Sequence, residues 1–99
     1  MSKVILQISY DIDPKHREEY MTLAAEMKKH FTEARKKNYS IYEVKARKNS
    51  FVEQFVCNSM DEYEALEDDL DETSENLVNK LESMLKDGKA KYNTFVETE

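Results

Sequence analysis

The sequence predicts an α+β domain with the element order βαββαβ. Three observations carry that reading. Four stretches are alternating or rich in β-branched and aromatic residues, two carry apolar residues at helical spacing, and a single Gly and a single Pro among 99 residues leave room only for short turns. The length suits one compact domain, residues 1–99, and is too small for two.

The first strand is expected over residues 4–12. Val4, Leu6, Ile8, Tyr10 and Ile12 fall on one side, and Ile5, Gln7, Ser9 and Asp11 on the other. Asp13-Pro14 then supplies a helix start, Asp13 as N-cap and Pro14 at the first position, where a missing N–H does no harm. Tyr20, Leu23, Ala24, Met27, Phe31 and Ala34 place an amphipathic helix over 14–36. Lys36 and Lys37 suit the negative end of its dipole, and Asn38 is expected to take the left-handed cap.

Tyr39 to Arg47 and Phe51 to Asn58 read as a hairpin around Lys48-Asn49, since Asn tolerates positive φ. A tight closure pairs residues whose numbers sum to 97. It puts Val44 opposite Glu53, Tyr42 opposite Phe55 and Ser40 opposite Cys57, all on one side. A slip of one residue would turn every one of these side chains over.

Ser59-Met60-Asp61-Glu62 is a capping box. Tyr63, Leu66, Leu70, Leu77, Leu81 and Met84 keep one helical stripe in phase over 60–86, while Asp71-Glu72-Thr73-Ser74 carries its own capping residues. One long helix and two shorter ones are both compatible with that pattern. Asp87-Gly88 ends the segment, and residues 90–97 alternate again as a last strand.

This order is the split βαβ, ferredoxin-like pattern, a four-stranded antiparallel sheet with both helices on one face. The covered face is expected to hold Val4, Leu6, Ile8, Tyr10, Tyr42, Val44, Phe51 and Phe55. The other face then keeps Ile5, Tyr39, Ile41, Val52, Val56 and Phe95, an apolar patch on the order of 400–600 Å² that a monomer seldom exposes. A homodimer joined through that uncovered face is the expected solution.

Composition excludes several function classes. One cysteine, Cys57, rules out an intrachain disulfide or a multi-cysteine metal site. The net charge of −6 divides into +4 for residues 1–48 and −10 for 49–99. Its basic runs are short and outweighed, which argues against nucleic acid, and the two signs read as solvated helix faces or as faces that meet between subunits. Mean hydropathy is −0.84, and no apolar run is long enough for a membrane span or a leader. A cytoplasmic protein without membrane or nucleic-acid partners is expected. His16 and His30 lie about 21 Å apart along their helix and share no metal. The acidic run from Asp61 to Glu75 lacks the glycine and ligand alternation of a calcium loop. Neither a cofactor nor a metal is expected.

Strand one ending in Asp13-Pro14, and the run Phe55-Val56-Cys57-Asn58-Ser59-Met60-Asp61-Glu62-Tyr63, resemble the dimeric α+β barrel superfamily and its antibiotic-biosynthesis-monooxygenase-like members. The resemblance covers nearly the whole chain. It implies a barrel made by two sheets, and a fold that hosts cofactor-independent oxygenases of quinols and polyketides, haem-degrading enzymes, isomerases and proteins without known activity. It also implies what is missing for haem degradation, since the chain has no Trp, Cys57 stands near the Trp position, and no His follows His30.

Candidate site residues follow from the expected faces. Glu53 points under the helices among Val44, Phe51 and Phe55, where a carboxyl must be hydrogen-bonded, paired or shifted upward in pKa, unless it reaches water or a Lys at the hairpin end. Tyr10, Ser40, Tyr42 and Tyr92 are expected to converge with it, and Cys57 faces the same side as a small apolar group. Such a pocket suits a small apolar or aromatic ligand. The alternative is cofactor-independent oxygenation of a quinol- or polyketide-like aromatic with Glu53 as base.

Overall fold

The structure is a computed structural model that describes residues 2–68 and 71–98. The elements run β1 (Val4–Asp11), a 3-10 turn (Pro14–His16), α1 (Arg17–Lys29), a π turn (His30–Ala34), β2 (Asn38–Glu43), β3 (Ser50–Cys57), α2 (Met60–Asp68), α3 (Glu72–Met84) and β4 (Lys91–Val96). The strands form one antiparallel sheet in the order β2-β3-β1-β4. The expected ferredoxin-like α+β fold is the observed one. Alternation in β1 does what period two requires: Val4 and Tyr10 are buried, and Leu6 and Ile8 pack against the same core.

Asp13 caps the first turn by accepting from the Lys15 N–H at 3.1 Å, with Pro14 behind it. The helix expected over 14–36 begins as a 3-10 turn and ends as a π turn. There the Arg35 N–H reaches the His30 carbonyl (2.9 Å) and the Lys37 N–H reaches that of Phe31 (2.7 Å). The left-handed residue is Lys36 (φ 53°) rather than Asn38, because the wider turn releases the chain two residues sooner and Asn38 is already paired in β2.

The second helical segment is two helices. Asp71 is extended (φ −92°, ψ 171°) and its carboxylate accepts from the Ser74 N–H at 2.7 Å, so a fresh helix starts there. Leu70, placed in the stripe by its spacing, lies outside the described residues. The Ser59 box forms as read, with Glu62 N–H on Ser59 Oγ (3.2 Å) and the Asn58 N–H on Glu62 Oε2 (2.9 Å). Helix α3 stops at Met84, four residues before Gly88, whose positive φ (68°) instead serves the turn into β4.

The hairpin register is the largest correction. Tyr39 pairs with Phe55, Ile41 with Glu53 and Glu43 with Phe51, so opposed numbers sum to 94 and not 97. Residues 44–49 are all connection, closed by Arg47 N–H on the Val44 carbonyl and Ser50 N–H on that of Arg47, both 3.1 Å. Arg17 pins the loop. Its guanidinium holds both Glu43 oxygens (2.7 and 3.0 Å) and Asn49 Oδ1 (2.8 Å), while Glu43 also accepts the Asn49 N–H (2.9 Å). Asn49 does take positive φ (70°).

An odd shift exchanges the faces of β2. Tyr39 is buried (5% exposed) and Ile41 packs on the core, although both were expected on the open side. Tyr42 is 53% exposed, and Val44 is an exposed loop residue. The open face therefore carries Ile5, Tyr42, Val52, Val56 and Phe95, with a crosswise row of Ser40, Gln54, Gln7 and Asn93 between them. Helix α1 packs on β2 and on α3, and α2 packs on β1 and β3.

Candidate ligand-binding site

Glu53 sits on central strand β3, 4% exposed, opposite Ile8 on one side and Ile41 on the other. A carboxyl so placed needs partners. The Tyr39 hydroxyl donates to its Oε1 at 2.5 Å, and the Tyr10 hydroxyl, 2.8 Å from that of Tyr20, stands close enough to favour its charged form. Burial pushes the Glu53 carboxyl up from its ordinary range, and the two tyrosine hydroxyls only partly pull it back. Burial, reinforced by the Glu53 charge, likewise raises Tyr10 and Tyr39, so these phenols stay protonated donors. Tyr20, fully buried, stacks against Phe51 with ring centroids 4.3 Å apart and fixes the far end of the network.

Glu53 opens onto a cavity of about 410 Å³ between the sheet and the helices. Leu6, Ile8 and Phe55 make its floor, Met27 and Phe31 one wall, and Leu66, Val78 and Leu81 the roof. Phe31, Tyr39 and Phe55 form a contiguous ring cluster, with centroids 4.6–5.3 Å apart, along that wall. The Tyr63 hydroxyl meets Thr94 Oγ1 at 3.1 Å and joins α2 to the edge of the sheet. Arg35 and Lys37 border the cavity where the π turn leads into β2, and Glu82 and Tyr92 border it near α3's last turn and β4.

Of the residues singled out by sequence, Glu53 and Tyr92 line this cavity. Tyr10 does not line it but stands beside Glu53 and bonds Tyr20. Ser40 and Tyr42 stand on the opposite face, because the register turned them over. Cys57 is buried (2% exposed) on the covered face without lining the cavity. Burial pushes its thiol up, with Glu62 adding to the rise and Lys37 opposing it. Sequence reasoning missed Tyr39, Tyr20, Arg35 and Lys37. The polar run Lys45–Ser50, broken only by Ala46, was the available signal for a longer loop, and hence for Tyr39 facing Glu53.

His30, its side chain only 13% exposed, joins a polar cluster at the start of α3. Its Nε2 lies 3.0 Å from Ser74 Oγ and 3.4 Å from Asp71 Oδ1, and Arg35 reaches the other Asp71 oxygen at 3.3 Å. Two bonds to Ser74 and the His30 charge hold the Asp71 carboxyl well below its usual range. The cluster ties the π turn to the start of α3. Among the described residues, no group of three or more His, Cys, Asp or Glu is placed to hold a metal ion, and no helix is long and apolar enough to cross a membrane.

No protein-family model and no curated sequence matches the chain. Solved structures do. A variant of SnoaB, a cofactor-independent oxygenase from Streptomyces nogalater, superposes with a TM-score of 0.74 at 13% identity, over 98% of this chain and 94% of its own. An antibiotic biosynthesis monooxygenase gives 0.71 at 15%, over 100% and 98%. The chain has the fold of the antibiotic-biosynthesis-monooxygenase-like proteins. A dimeric ferredoxin-like protein of unknown function from Thermobifida fusca gives 0.62 at 14%, over 96% and 92%. At such identities the likeness concerns the fold, and the activity has to be argued from the site.

Proposed function

We propose that this protein binds a small apolar, aromatic molecule in the cavity between sheet and helices, as a homodimer joined through the open sheet face. The observation that carries the reading is a buried carboxyl, Glu53, set into a mostly apolar hollow of about 410 Å³ whose charged groups lie at its ends. Ligand pockets combine a large apolar lining with few fixed polar groups, and this volume is within their usual range. Tyr39 and Tyr10 hold Glu53 in place, so the polar contact is organised before a ligand arrives. Dimerisation is supported by the row Val56, Ile5 and Phe95 across the uncovered face, with Phe95 49% exposed, and by the dimeric neighbour of the same fold. A thermal-shift series with 2-naphthol and anthrone tests the cavity. Melting temperature rises with ligand in the native protein, and the rise is lost when Ile8→Phe fills the floor. No rise with any flat aromatic overturns the proposal.

One observation favours a second reading. Glu53 borders the cavity and burial raises its proton affinity, the direction that suits a general base. A neighbour in fold is described as a cofactor-independent oxygenase. In that chemistry Glu53 takes a proton from the substrate, and the electrons that reduce oxygen come from the resulting carbanion. Anthrone plus O₂ then gives anthraquinone plus water. Oxygen uptake with anthrone that vanishes in Glu53→Gln supports it, and uptake unchanged by that substitution excludes Glu53 as the base.

A further inference from the structure

The charges around the cavity are separated by sign. At the end where the π turn meets β2 stand Lys37 and Arg35, both partly buried. Lys37 directly precedes Asn38, which pairs with Val56 near the end of β3. At the other end, the charges of Glu53 and Glu82 both bear on Tyr92. Between them the lining is mostly Leu, Ile, Val, Met and Phe, with the bonded pair Tyr63 and Thr94 at the sheet edge. Among the described residues at the basic end, Asp71 holds the Ser74 N–H and ion-pairs with Arg35, and Glu62 caps the Asn58 N–H.

From this polarity we propose that the ligand is an aromatic acid, its anionic group against Lys37 and Arg35 and its apolar body running toward Glu53. The inference deepens the ligand-binding reading above and rests on it. An anion fits here for two physical reasons. The low-polarity wall strengthens any charge pair at its edge, and Asp71 orients the Arg35 guanidinium before binding, which lowers the cost of ordering it. A carboxylate placed at the opposite end would face Glu53 and Glu82 and be repelled.

The test compares 2-naphthoate with 2-naphthamide, which share shape but not charge, by titration calorimetry against the intact protein. The acid binds at least about tenfold more tightly, as charge-assisted hydrogen bonds in a partly desolvated site do. Lys37→Met erases most of that preference, Lys37→Arg keeps it, and added salt weakens the acid far more than the amide. Equal affinity for acid and amide overturns this inference while leaving the ligand-binding reading standing. A preference that survives both Lys37→Met and Arg35→Gln overturns it as well. Binding of neither probe removes the ligand-binding reading along with it. Circular dichroism of each variant, and its affinity for the amide, separate loss of charge from loss of fold.

Discussion

The Tyr39 hydroxyl lies 2.5 Å from Glu53 Oε1, donated diagonally across the β2–β3 ladder from a residue two positions before Ile41, the one paired with Glu53. That contact links the hairpin loop to the cavity. With the loop at 44–49, Tyr39 faces the helices and meets Glu53, whereas a tight turn at 48–49 would put Tyr39 in the open face and leave the carboxyl to other partners.

Glu53 makes stability depend on pH in a definite direction. Its folded-state pKa lies above that of the unfolded chain, so the native state binds more protons over the interval between them. The stability gained is complete below the ordinary carboxylate range and is lost as pH rises through the folded value. Melting temperature of the native protein should therefore fall relative to Glu53→Gln as pH rises above the ordinary carboxylate range. Parallel curves for the two proteins would contradict this.

Replacing Glu53 by Ala is expected to be worse than replacing it by Gln at low pH. Alanine leaves the Tyr39 hydroxyl without its buried acceptor, at about 1–3 kcal/mol for such a loss, and opens extra space. Tyr39→Phe should cost about 1 kcal/mol and push the Glu53 carboxyl further up, since it removes a bond that holds it down. Urea unfolding reads the first effect, and the carboxyl carbon shift in a pH titration reads the second.

Acid loss of stability has a different source. Arg17 and the Asn49 N–H hold the Glu43 carboxyl at about 2, below its ordinary 4.5. The stability this gives is present above the ordinary value and disappears as pH falls toward about 2. Glu43→Gln should flatten the acid limb of the stability curve and loosen the 44–49 loop, seen as faster amide exchange at Asn49 and Ser50. An unchanged acid limb would assign that loss to other carboxylates.

The Cys57 thiol should react slowly. It is buried and its proton is held more tightly than usual, so a disulfide reagent should modify it at the rate of opening or unfolding and not at the rate of an exposed thiolate. Fast, denaturant-independent labelling would contradict this burial.

Much of the fold could be read from pattern alone, and the site only in part. Alternation in β1, the Asp13-Pro14 start and the Ser59 box depend on neighbours close in sequence, and all three stand as expected. The faces of β2 do not depend on near neighbours. They follow from where a polar loop ends, and that is set by Arg17, an element away, gripping Glu43 and Asn49. Glu53 was legible because a lone carboxyl in an apolar strand face is conspicuous. Tyr39 and the two cations of the π turn were not, since their positions depend on that register and on a turn that departs from helical period.

The measurement closest to the central claim is a methyl-shift map by NMR as 2-naphthol is added. Ile8, Leu6, Val78 and Leu81 line the cavity, while Ile5, Val52 and Val56 lie on the other side of the same sheet. Saturable shifts concentrated on the first group, with Glu53→Gln changing the affinity, are the predicted result. Shifts confined to the second group, or none at millimolar ligand, would contradict a binding site between sheet and helices.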